Sequence, residues 1–154
     1  MSDLYELYQE LILDHNRKPR NFGRPEASDH EAQGYNPLCG DRVTVYVTIR
    51  DDVVEDVAFE GSGCAISTAA ASMMTEAIQG KTTSEARRLF EKFHEMVAGP
   101  APEEVSAAGN RPGLGKLAAF AGVRRYPARV KCATLVWHTL AAALEKKPEL
   151  VTTE

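Results

Sequence analysis

Leu4, Leu7, Tyr8, Leu11 and Ile12 recur at the three- and four-residue spacing of an amphipathic helix. Asp3 followed by Glu6 resembles a capping box at its start. The pattern fades near His15-Asn16, ahead of Lys18-Pro19. Residues 19–33 carry Pro19, Gly23 and Pro25 among polar groups and read as a surface loop or a binding segment. From Val43 the period changes to two: Val43, Val45, Val47 and Ile49 alternate with Thr44, Tyr46, Thr48 and Arg50, a half-buried strand. Asp51-Asp52 marks a tight reversal, and a second strand follows with Val53, Val57 and Phe59 apolar. So short a turn makes the pair antiparallel, and Gly34-Tyr35-Asn36 offers a short third strand.

Helical spacing returns at Ile66, Ala70, Met73 and Ala77, closed by Gly80. Thr82-Thr83-Ser84-Glu85 opens another helix with Leu89, Phe90, Phe93, Met96 and Val97 on its apolar side. Gly99-Pro100-Ala101-Pro102 breaks it, and residues 99–127 leave room for short helices around Pro102–Ala107 and Gly115–Ala121. Tyr126-Pro127 leads into a long final helix with Val130, Ala133, Trp137, Leu140, Ala141 and Leu144 apolar, ended by Pro148 and a frayed tail. Strands followed by a run of helices predict an α+β fold with a small three-stranded antiparallel sheet and a long C-terminal helix.

The 154 residues suit a single domain, and 44% hydrophobic with 26% charged residues is ordinary for a soluble globular chain. A net charge of −4 argues against nucleic acid as a partner. No apolar run approaches the ~20 residues of a membrane span, and Met1-Ser2-Asp3 opens no signal-peptide pattern. A cytoplasmic protein with no membrane partner is expected. Three cysteines without a CxxC then point away from a disulfide framework or a redox dithiol. Each could be only a small buried hydrophobe, but their placement is suggestive.

Cys39 and Asp41 flank Gly40, and a turn there can swing thiol and carboxylate to one side. Cys64 follows Gly61-Ser62-Gly63 at a predicted helix start, where unpaired N–H groups favour a thiolate. Cys132 lies beside Lys131 and a turn from Arg129 at the predicted start of the last helix, so its pKa is expected to be lowered. Three thiolates and one carboxylate make the four ligands of a tetrahedral zinc site. Gly61-Ser62-Gly63 and Gly113-Leu114-Gly115-Lys116 lack the rest of a phosphate loop. The histidines are less persuasive: His138 is six residues from Cys132 and off its helix face, and His15 sits at a helix C-terminus that favours a charged imidazole. His30 and His94 have no ligand partner at readable spacing, and Met73-Met74 read as core.

Taken together, Gly34 to Asp41, Phe59-Glu60-Gly61-Ser62-Gly63-Cys64-Ala65-Ile66-Ser67 and Val130-Lys131-Cys132-Ala133 resemble the U-type iron–sulfur cluster assembly family of IscU, SufU and the NifU N-terminal domain. Asp14-His15 with Pro19-Arg20-Asn21-Phe22-Gly23 is similar to the family's N-terminal segment, so the resemblance covers nearly the whole chain. It implies a small antiparallel sheet with helices packed largely on one face, metal ligands at Cys39, Asp41, Cys64 and Cys132, and sulfur delivered by a cysteine desulfurase (SufS/IscS-like). Its scaffold branch builds a [2Fe–2S] cluster from iron and sulfur and passes it to apo iron–sulfur proteins. Its SufU branch binds zinc and accepts sulfur, a zinc-dependent sulfurtransferase acting with the desulfurase and feeding a downstream scaffold.

Two departures favour the SufU branch. Lys131 stands where the scaffold branch has a histidine, and Tyr126-Pro127-Ala128-Arg129-Val130 stands where it has the chaperone-gripped Leu-Pro-Pro-Val-Lys. The Gly/Pro/Ala-rich stretch 99–118 resembles a SufU-type insertion within the single domain 1–154. On this reading Cys39 is the sulfur acceptor, Cys132 the alternative, Arg129 and Lys131 steady the anionic sulfur, and Asp41 is the ligand that lets go.

Overall fold

A computed structural model describes residues 2–37, 39–98, 114–145 and 151–152, with side chains from residue 9 onward except at 124, 125, 151 and 152. The expected helix Pro102–Ala107, most of the 99–118 segment and the stop at Pro148 lie outside the described residues. Helix α1 (Ser2–Arg17) precedes strands β1 (His30–Asn36), β2 (Asp41–Arg50) and β3 (Val53–Ser62). Helices α2 (Ala65–Ile78) and α3 (Thr83–Ala98), a 3-10 helix over Gly115–Arg125, α4 (Pro127–Leu144) and a two-residue β4 (Val151–Thr152) complete the order.

The α+β reading holds. β1, β2 and β3 form the antiparallel sheet, in the order β3-β2-β1-β4. β4 adds a fourth, parallel pairing with Gly34 and Tyr35, in a tail that carries no strand signal of its own. The Asp51-Asp52 reversal is a two-residue hairpin with both φ angles positive (52° and 65°), the hand that matches strand twist. β1 is longer than expected, because its inward residues Ala32, Gly34 and Asn36 are too small or polar to show as an aliphatic stripe. Opposite Thr48 and Ile49 of β2 the register steps by one, leaving Glu55 of β3 as an extra residue. This bulge turns Val54, rather than Val53, into the core.

Helices α2 and α4 cover the sheet face that carries Val43, Val45, Val47, Val57 and Phe59. α4 is buried nearly all round, as expected of a helix without a broad polar face. Gly34 lets β1 lie close against it: a Cβ there would come within 2.1 Å of Thr139 Oγ1. α3 packs as predicted through Leu89, Phe93, Met96 and Val97, with Phe93 stacked on Trp137. Its start is a reciprocal capping box, since Thr82 N–H donates to Glu85 Oε1 at 2.9 Å and Glu85 N–H donates to Thr82 Oγ1 at 3.1 Å.

The 19–33 stretch is more structured than a surface loop. Asn21 and Gly23 bond the edge of β3 through Phe59, and residues 30–33 belong to β1. Arg20 N–H donates to Ser72 Oγ, and Asn21 Nδ2 donates to Thr75 Oγ1, tying the segment to α2.

Candidate metal centre

The site is built at the end of the sheet where β1 turns into β2. Gly40, with φ of 70°, closes this turn by donating its N–H to Asn36 O at 2.8 Å. The turn separates two neighbours in sequence: Cys39 is exposed, whereas Asp41, the first residue of β2, is fully buried. Asp41 Oδ1 accepts the Cys64 N–H at 2.9 Å. Gly63 makes that approach feasible, because a Cβ there would lie 2.6 Å from Asp41 Oδ1. The room that Gly63 leaves is thus filled by the Asp41 carboxylate.

Cys64 caps α2 as its sequence position suggests. Its backbone is extended (φ −72°, ψ 170°), and its Sγ accepts the Ser67 N–H at 3.4 Å. The same sulfur lies 4.0 Å from Asp41 Oδ2. From the other side α4 brings Cys132, whose Sγ is 3.3 Å from Cys39 Sγ. Among the described residues, one ligand atom each from Cys39, Asp41 and Cys132 lies within 4.8 Å of the others, and Cys64 adjoins that group through Asp41.

Cys132 departs from its expected chemistry. α4 begins at Pro127, so Cys132 sits beyond the first turn and is fully buried. Burial pushes its thiol pKa up rather than down, and hydrogen bonding to Asp41 and Cys39 and the charge of Cys64 act in the same direction. Arg129 is exposed on the first turn of α4, and the Cys132 thiol, followed by the charge of Cys64, raises its pKa. Lys131 is half-buried, and among the described residues no hydrogen bond or ion pair joins it to the thiols.

This donor set fits a thiophilic dication. Three thiols and a carboxylate are gathered at one partly buried point, and Cys132 holds its proton first because it is buried and then because it is hydrogen-bonded to Asp41 and Cys39 beside the charge of Cys64. A zinc ion matches the sulfur and oxygen donors.

The histidines lie elsewhere. His15 is buried between α1 and α2, with Nδ1 2.7 Å from Ser72 Oγ and Nε2 3.5 Å from Glu76 Oε1. Burial, then Arg20, pushes its pKa down, so the charged imidazole expected at the helix end is disfavoured. His138 packs edge-on to Phe90 beside His94 on α3, and burial lowers its pKa as well. Sequence reasoning gave no role to Asn36, whose amide nitrogen is 3.5 Å from Asp41 Oδ2 and 3.6 Å from Cys132 Sγ. Its signal was a polar residue at an inward position of β1, in phase with Ala32 and Gly34.

A three-stranded sheet backed by helices, with thiols and a carboxylate converging at one end, matches what similarity to known proteins shows. Residues 7–133 match the NifU-like N-terminal domain family, and the chain belongs to that family. It is 40% identical over 149 residues to the iron–sulfur cluster assembly scaffold protein IscU of Streptococcus pyogenes serotype M1, covering 95% of this chain and 87% of that protein. It is also 40% identical over 146 residues to the zinc-dependent sulfurtransferase SufU of Bacillus subtilis, covering 95% of each. The crystal structure of a nitrogen-fixing NifU-like protein (N-terminal) from Brucella abortus superimposes with a TM-score of 0.77 at 30% identity, over 90% of this chain and 92% of that one.

Proposed function

We propose that this protein accepts sulfur from a cysteine desulfurase during iron–sulfur cluster assembly, at a centre where Cys39, Asp41, Cys64 and Cys132 hold zinc. The observation that carries the reading is the contrast inside one turn: an exposed Cys39 thiol 3.3 Å from a buried Cys132, next to a buried Asp41. The relative named as a zinc-dependent sulfurtransferase supports it. Zinc, when bound, holds the thiols deprotonated at neutral pH.

The chain's own residues then divide the work. Cys39 is the acceptor: its thiolate attacks the outer sulfur of the desulfurase persulfide, a new S–S bond forms on Cys39, and the desulfurase cysteine leaves as a thiolate. Burial of Cys132 disfavours it as the alternative acceptor. Asp41 is pinned by the Cys64 N–H, so Cys39 rather than Asp41 is the ligand free to let go. Arg129, whose pKa is raised by the Cys132 thiol and the charge of Cys64, steadies the anionic sulfur. Lys131 adds positive charge nearby.

The test is metal analysis of the full chain purified without oxygen, followed by desulfurase turnover with and without it. Retained zinc and faster turnover are expected; absence of zinc together with unchanged turnover would contradict the proposal.

A second reading is favoured by the relative named as a scaffold. On it the same four residues bind iron and sulfide as cargo, build a [2Fe–2S] cluster and yield it to apo-proteins. Anaerobic reconstitution with iron and sulfide separates the two, since a cluster that moves to an apo-ferredoxin supports the scaffold.

A further inference from the structure

Asn36 ends β1 and is fully buried. Its carbonyl accepts the Gly40 N–H and so closes the turn that carries Cys39. Its side chain reaches further than a turn former needs. Nδ2 approaches Asp41 Oδ2 at 3.5 Å and Cys132 Sγ at 3.6 Å, the latter 96 positions away on α4. A primary amide nitrogen carries two N–H donors, so one group can serve both acceptors. Asp41 Oδ1 is already committed to the Cys64 N–H, which leaves Oδ2 as the oxygen that faces Asn36 and Cys64 Sγ.

We infer that Asn36 is a positioning residue of the metal centre: its amide aims Asp41 Oδ2 and Cys132 Sγ, and donates an N–H···S hydrogen bond to the Cys132 thiolate once metal is bound. The inference rests on the reading above that the centre binds metal. Its physical basis is that buried anions need donors, and that groups bonded to metal ligands orient them and tune their basicity. A donor on a thiolate withdraws charge from sulfur and makes its electrons harder to promote to the metal. Asn36→Asp keeps the shape but replaces both donors with acceptors beside Asp41 and Cys132. Asn36→Ala removes the group.

The experiment is an anaerobic titration of the full chain with cobalt(II), and with zinc against a chromophoric chelator. Wild type is compared with both variants and with Gln33→Ala, a neighbour on the exposed face of β1. Both Asn36 variants should bind about 10–100-fold more weakly. Their sulfur-to-cobalt charge-transfer band should move to lower energy, and Gln33→Ala should match wild type. Metal affinity and band position unchanged in the Asn36 variants would overturn the inference while leaving the metal reading intact. A wild type that binds neither metal overturns both. Should the variants fail to fold by circular dichroism, the wild type loaded with cadmium decides by nuclear magnetic resonance. A through-hydrogen-bond coupling between cadmium and the Asn36 side-chain amide proton is expected, and its absence refutes the role.

Discussion

The two turns at opposite ends of β2 differ in what they are for. The Asp51-Asp52 turn is the minimum a hairpin needs, and it is tied down: Thr83 Oγ1 donates to Asp52 Oδ1 at 2.7 Å and Thr83 N–H to Asp52 O at 2.9 Å. The turn from Asn36 to Asp41 is longer than pairing requires, with a left-handed glycine next to an exposed thiol. One turn anchors α3 to the sheet. The other leaves the Cys39 thiol exposed while Asp41 stays buried.

The sharpest way to break this contrast is Cys39→Ser. Stimulation of a cysteine desulfurase should vanish, while the melting temperature of the metal-free chain stays near wild type, because exposed substitutions shift stability by only ~0.5 kcal/mol. Gly63→Ala comes next. Its methyl would displace the Asp41 carboxylate, so zinc affinity by chelator competition should fall about 10-fold or more, in the range seen when groups supporting a ligand are lost.

At the other end, Thr82→Ala removes one half of the capping box at the start of α3. It should cost ~1 kcal/mol by chemical denaturation and leave zinc affinity unchanged. An effect on zinc there would mean that the two ends are coupled.

Acid sharpens the comparison from a third position. His15 has a folded pKa held below the ordinary 6.5, so the unfolded chain takes up the proton first. Stability is therefore full above that value and declines as pH falls below it toward the folded pKa. His15→Gln should flatten the part of the acid slope between pH ~7 and ~5 that His15 contributes, measured by urea unfolding, with His138 adding a slope of the same sign. The smallest effect is expected for Asp51→Gly. Relief of a left-handed φ of 52° should add at most ~1 kcal/mol, with no change in metal binding.

Much of this architecture was legible because aliphatic side chains mark it. Val43, Val45 and Val47 announce β2, and Leu89, Phe93 and Met96 announce α3. β1 was legible only at its end, since Ala32 and Gly34 leave no hydrophobic stripe. The Glu55 bulge was hidden because Val53 and Val54 offer a valine in either phase. At the site, Cys64 beside glycines at a helix start carried its own explanation, and the structure places it as the cap. Cys132 was misjudged because charge along the sequence says nothing of burial: its pKa answers to the packed interior of α4 more than to Lys131. Asn36 was overlooked because it reads only as the end of the short Gly34-Tyr35-Asn36 strand, and its contact across 96 positions exists only in the fold.

On the proposed function the exposed Cys39 thiol of the β1–β2 turn receives the sulfur while Asp41, Cys64 and Cys132 hold the metal. The most direct measurement is peptide mapping by mass spectrometry of the zinc-loaded full chain after incubation with a cysteine desulfurase and cysteine, with free thiols blocked at the end. An added sulfur is expected on Cys39 and none on Cys64 or Cys132. Sulfur found on Cys132 with Cys39 unmodified would contradict it.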